Sequence, residues 1–128
     1  MEIKNDRMYA ASHEWVKFED DSTATIGISD FAQEELGDLV FVNLPAEGDS
    51  VTEGESFADV ESVKAVSDIY SPVTGTVEAI NEELLDTPEK INAAPYEAWL
   101  CRVSGITDKG QLMTAEAYEA FLATQDKH

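Results

Sequence analysis

Lys64 carries the chemistry that is easiest to see in this chain. It lies within Glu61-Ser62-Val63-Lys64-Ala65-Val66-Ser67-Asp68-Ile69-Tyr70, and a Ser71-Pro72-Val73-Thr74-Gly75 turn follows. The flanking stretches, Phe57 to Ser62 and Val66 to Tyr70, read as the two arms of a β-hairpin. No Asn-Gly or Asp-Gly pair marks the turn between them. A primary amine at such a tip can be presented to another protein rather than used locally. Taken alone, Lys64 reads as a solvated turn residue; the spacing around it is what sets it apart.

Other reactive side chains offer less. Cys101 is the chain's one cysteine, so no disulfide can close within it. Its setting, Trp99-Leu100-Cys101-Arg102-Val103, is apolar and strand-like, as for a buried small hydrophobe. His13 and His128, the only histidines, cannot build a metal site with Cys101. His13-Glu14 also lacks the second His of a zinc-protease helix, and no serine sits in a hydrolase elbow. These residues argue against a metalloenzyme and against a Ser-His-Asp hydrolase.

The elements expected to position the lysine are short and mostly β. Trp15 to Phe18 alternates apolar and polar, Asp20-Asp21-Ser22 turns the chain, and Thr23 to Ile28 is rich in β-branched residues. A short helix follows from Phe31 to Leu36, with Asp30 and Gln33 forming a capping-box-like start and Gly37 a left-handed stop. Leu39 to Leu44 is an apolar strand ended by Pro45, and Gly48 and Gly54 mark sharp corners. Thr76 to Ile80 is a further strand, while Glu82 to Pro95 is irregular and partly helical between its prolines. Thr114 to Ala123 predicts an amphipathic helix capped by Thr114, with Tyr118, Phe121 and Leu122 on its core face.

Composition limits the partners. At 128 residues and 43% hydrophobic content the chain is expected to form one domain, 1–128, with a real core. Asp and Glu number 27 against 8 Lys and Arg, a balance that repels nucleic-acid backbones and anionic membrane surfaces. It suits basic docking faces, and equally solubility or salt adaptation. No apolar run is long enough for a membrane span. Met1-Glu2-Ile3-Lys4-Asn5-Asp6-Arg7 has neither signal nor transit character, so the expectation is a cytoplasmic chain or a processed form.

Taken together, these spacings resemble the lipoyl and biotinyl carrier domains, which share a flattened β-barrel of two folded-over sheets. The matching positions are Gly48-Asp49, Val51, Gly54, Glu61, Lys64, Ile69, Ser71-Pro72, Gly75 and Val77. Further segments narrow the resemblance to the H-protein family of the glycine cleavage system. They are Ser12-His13-Glu14-Trp15-Val16, the stretch from Gly27-Ile28-Ser29-Asp30-Phe31 through Phe41-Val42-Asn43-Leu44-Pro45, and Pro95-Tyr96-Glu97-Ala98-Trp99. Biotin carriers match less well, having Met on both sides of the lysine where this chain has Val63 and Ala65. Lipoyl domains of 2-oxoacid dehydrogenases usually have Asp before the lysine and lack the N-terminal segment and C-terminal helix. Ala98 departs from the family's usual Gly.

The resemblance implies a mainly β carrier with lipoate attached through an amide to Lys64, and Glu61 recognised by the lipoylating enzyme. It assigns Ser12, Glu14 and Asp68 to a cleft that holds an aminomethyl ammonium. The carrier would move that group from a pyridoxal-phosphate glycine decarboxylase to a tetrahydrofolate-dependent aminomethyltransferase. Dihydrolipoamide dehydrogenase would then reoxidise it. The same lysine would also serve a lipoate relay to 2-oxoacid dehydrogenases, and an unmodified interaction module is a third reading. A monomer is expected.

Overall fold

Residues 2–125 are described by a computed structural model in which the short β-branched stretches become antiparallel strands. β1 (Met8–Ala10), β2 (Glu14–Phe18) and β3 (Ala24–Ile28) open the chain, followed by α1 (Asp30–Leu36) and β4 (Leu39–Asn43). β5 (Ser50–Val51), β6 (Ser56–Ser62), β7 (Val66–Tyr70) and β8 (Val73–Ile80) form the middle. Two single-turn helices, α2 (Glu83–Asp86) and α3 (Lys90–Ala93), lead to β9 (Cys101–Lys109), β10 (Leu112–Met113) and α4 (Ala115–Gln125). Among the described residues no helix is long and apolar enough to cross a membrane.

Pairing divides the strands between two sheets, ordered β10-β1-β2-β3-β9-β8-β5 and β4-β6-β7. The expected mainly β, sandwich-like architecture forms, with two sheets rather than one closed barrel. Period-two burial decides which faces turn inward. Ala58, Val60 and Ile69 of the small sheet pack with Val42, Leu84, Ile91 and Leu100. Ile26, Val73, Val77, Cys101 and Val103 fill the interior of the large sheet. A third cluster is aromatic: Tyr9, Trp15, Tyr96 and Tyr118 pack with Leu122, and Tyr9 stacks on Tyr118 at 4.4 Å.

Several expectations about the elements need correction. Ser29, not Asp30, caps α1, since its hydroxyl accepts from Ala32 N while Asp30 is already the first helical residue. Asp30 instead accepts from the Gln33 amide at 2.6 Å. Gly37 ends the helix at φ 83 and ψ −165, a mirror-extended conformation rather than a left-handed helical one. The strand expected from Thr76 starts at Val73, and the late strand starts at Cys101, after Trp99. Thr114 caps α4 as expected, accepting from Ala117 N at 3.2 Å. Ala98 is buried in the core, and among the described residues His13 is the one non-glycine with positive φ, so the family's usual glycine has no backbone role there. Burial pushes the Cys101 thiol up to about 12, which removes it as a nucleophile. His128 lies outside the described residues.

Gly27 fixes the join between β3 and the aromatic cluster. A Cβ there would stand 2.5 Å from the Trp15 ring, which is itself held by donation from Nε1 to the Pro95 carbonyl at 3.1 Å. Gly27→Ala is expected to destabilise the fold by about 1–3 kcal/mol, the range of overpacked cores. Urea unfolding followed by Trp fluorescence measures it.

Candidate functional site: a hairpin-tip lysine beside a cleft

The tip between β6 and β7 is built on one buried hydroxyl. Ser62 Oγ accepts from the backbone amides of Lys64 and Ala65, both at 3.1 Å, and donates to the Ala65 carbonyl at 3.2 Å. Its backbone amide also donates to that carbonyl, at 2.8 Å. This serine turn supplies locally what an Asn-Gly pair supplies in other hairpins. Val63 N donates to the Asp38 carbonyl at 3.1 Å, tying the tip to the end of α1.

Lys64 is exposed, and its stem lies over Gly37: a Cβ added at Gly37 would be 3.1 Å from Lys64 Cε. Nζ donates to the Glu35 carbonyl at 3.1 Å, one of the carbonyls left open at the end of α1. Lys64 has no carboxylate partner among the described residues, although most of the other cations do.

Ser12, Glu14 and Asp68, distant in sequence, line one cleft of about 380 Å³. Phe31, Ala32, Glu35 and Leu36 form its α1 wall, Ser67 to Ile69 its β7 wall, and Ile28 is apolar lining. Glu35 both lines the cleft and carries the carbonyl that holds Lys64 Nζ. Glu14 is 2% exposed. Its Oε1 accepts from Ser12 Oγ at 2.5 Å and its Oε2 from Tyr70 N at 3.3 Å. Burial raises the Glu14 carboxyl above its usual range, and the Ser12 hydrogen bond works against that rise. Asp68 is exposed on β7. Glu61 faces solvent on β6, paired across strands with Phe41 and Val66, outside the cleft.

Sequence reasoning missed His13 and Glu35 as cleft residues. His13 stands between Ser12 and Glu14 at φ 79, and its Nδ1 meets Tyr118 OH at 2.9 Å. Burial lowers the His13 pKa. Its place in the Ser12-His13-Glu14 segment was visible, but no signal announced the positive φ. Glu35 could have been found from helical spacing, since Phe31 with Glu35 and Ala32 with Leu36 stack on one face of α1.

Comparison with known proteins gives this geometry its family. Residues 7–125 match the family described as Glycine cleavage H-protein. The chain belongs to the glycine cleavage H-protein family. A glycine cleavage system H protein of Lachnoclostridium phytofermentans is 59% identical over 95% of this chain and 96% of its own length. A probable glycine cleavage system H protein of Pyrococcus furiosus is 48% identical over 95% of this chain and 93% of its own. The crystal structure of a glycine cleavage system H protein from Mycobacterium marinum superposes with a TM-score of 0.90 at 41% identity, covering 94% of this chain and 99% of that one. H proteins are lipoate-carrying carriers of glycine cleavage rather than catalysts. The lipoate-relay alternative gains no support from relatives named for glycine cleavage.

Removing the Ser62 hydroxyl should free the tip without disturbing the cleft. Ser62→Ala is expected to cost about 0.5–1.5 kcal/mol, the net worth of a hydrogen bond whose amide can turn to water once its partner is lost. Amide hydrogen exchange should rise at Lys64 and Ala65 and stay unchanged at Tyr70.

Proposed function

We propose that Lys64 is the lipoyl acceptor of this glycine cleavage carrier and that Ser12, Glu14 and Asp68 hold the carried ammonium. The observation that supports the reading best is the position of Glu35: its carbonyl holds Lys64 Nζ while the residue lines the cleft, so an arm starting at Lys64 begins at the cleft's mouth. The residues present fit a lipoyl group. The amine is exposed, Gly37 leaves room for the stem, and Ile28, Phe31, Leu36 and Ile69 give the cleft apolar lining. When bound, the lipoyl group supplies a dithiolane that takes up the aminomethyl unit and is later returned to its disulfide by partner enzymes.

The chain's own residues bind and shelter. Ser12 donates to Glu14 and so fixes the carboxylate that an ammonium would meet. Burial leaves Glu14 poorly solvated, and a cation beside it would offset that cost. Asp68 adds a second carboxylate from β7. The walls limit water at a group that water would hydrolyse. The partners in this reading are glycine decarboxylase, aminomethyltransferase, dihydrolipoamide dehydrogenase and a lipoylating enzyme that reads Glu61.

Exchange of labelled bicarbonate into the glycine carboxyl group, with purified glycine decarboxylase, tests the reading. Lipoylated wild type should support exchange, and Lys64→Arg should give only the carrier-free background while melting like wild type. Exchange by Lys64→Arg would exclude Lys64 as the acceptor.

Retention of the cargo should also depend on pH. Because Glu14 titrates above the ordinary carboxylate range, it is neutral at low pH and pairs with an ammonium only as pH rises through its own pKa. The lifetime of the loaded carrier should therefore lengthen across that window, and Glu14→Gln should flatten the profile. In the empty protein the linkage runs the other way: stability contributed by the neutral form is lost as pH rises through the folded pKa. Glu14→Gln should accordingly weaken the dependence of the urea midpoint on pH.

A further inference from the structure

The outward face of the small sheet is apolar around Lys64. Val40 and Phe41 are each 53% exposed, Val63 70% and Val66 67%; among the described residues, the other large apolar side chains so exposed are Tyr70 and Leu85. Strand register sets Phe41, Glu61 and Val66 side by side in one row across β4, β6 and β7. Val63 stands at the tip next to Lys64. The following row, Asn43, Asp59 and Asp68, is polar and acidic. A bulge in β4 between Leu39 and Phe41 breaks the in–out alternation, so that Val40 and Phe41 both reach solvent. The folded chain gains no burial from that bulge, which marks the patch as a surface for something else.

We propose that this patch is the docking surface for the enzyme that acylates Lys64. That enzyme's active-site mouth would set apolar side chains against Val40, Phe41, Val63 and Val66, and a cationic group against Glu61 and Asp59. The proposal rests on Lys64 being the lipoyl acceptor and names the surface by which the acceptor is recognised. Acylation joins Nζ to the acyl carbon of a lipoyl adenylate. The new C–N bond replaces the bond from that carbon to the phosphate oxygen, AMP departs, and the amine gives up its proton. The acyl carbon must approach Nζ to about 3 Å, so the acylating enzyme has to cover the tip itself. An enzyme working on the far end of a lipoyl arm has no such requirement, because the arm bridges the gap. Charge agrees with this occupant, since a basic rim is drawn to a chain of net −19.

The test is the initial rate at which a lipoate–protein ligase, given lipoate and ATP, modifies the full-length unmodified chain over a range of chain concentrations. Phe41→Ser and Val66→Ser should each lower kcat/KM about tenfold, carried by KM, as expected for side chains central to an interface. Leu85→Ser, an equal apolar loss on α2, should leave the rate unchanged, and Phe41→Leu should restore most of it. Glu61→Gln should raise KM and weaken the salt dependence. Melting temperatures should match wild type, because each replaced side chain is exposed. Phe41→Ser and Val66→Ser rates within about twofold of wild type would overturn the proposal. So would normal lipoylation combined with slowed bicarbonate exchange, which assigns the patch to the decarboxylase. A wild-type chain that takes up no lipoate at Lys64 would sink the carrier reading itself, and this proposal with it.

Discussion

Tyr118 is fully buried, and its hydroxyl meets Ser29 Oγ at 2.7 Å and His13 Nδ1 at 2.9 Å. The α1 wall of the cleft and the segment that carries Ser12 and Glu14 both lead back to that oxygen. Ser29 caps α1, which forms one wall, and His13 sits beside Ser12 and Glu14 in the segment that opens β2. Bond counting orders the protons. Ser29 Oγ already accepts from Ala32 N, and among the described residues its own hydrogen meets no acceptor other than Tyr118. The Tyr118 hydrogen is then left for His13 Nδ1, which favours a neutral imidazole carrying its proton on Nε2. Burial favours the same neutral form. The C-terminal helix, distant in sequence from the lysine, is in this way part of the cleft's frame.

What could be read in the residues divides along a physical line. The hairpin arms were legible because the runs on both sides of Lys64 are of strand length and Ala58 to Glu61 of β6 alternates apolar and polar. The corners were legible because Gly48 and Gly54 take φ near +90, where other residues are strained. β1, β5 and β10 were not, because strands of two or three residues carry no period and exist only through their partners. The start of α1 was misplaced because Ser29 and Asp30 are both good caps, and only geometry shows which one reaches the free amide.

The site divides in the same way. Lys64 stood out because its neighbours keep fixed spacings; of its surroundings in the fold Ser62 is local, while Gly37 and the Glu35 carbonyl come from the distant end of α1. Ser12, Glu14 and Asp68 came from a family resemblance, and the fold brings all of them to one cleft. Their convergence depends on β2 and β7 belonging to different sheets, a relation that no local pattern encodes. The bulge in β4 was equally hidden, since Leu39-Val40-Phe41-Val42 reads as an uninterrupted buried strand. Exposure of Val40 and Phe41 follows from register, not from residue type.

The resting place of Lys64 also governs its availability. An amine donating to the open end of a helix is engaged for part of the time, and an enzyme can use only the fraction that has swung away. Under the proposed acylation the nitrogen would keep a single N–H and no charge, and its attraction to the helix end would fade. The modification would thus act as a latch that opens when it is made: the bare lysine lies along Gly37, and an arm built on it would be free to move between the cleft and the outside.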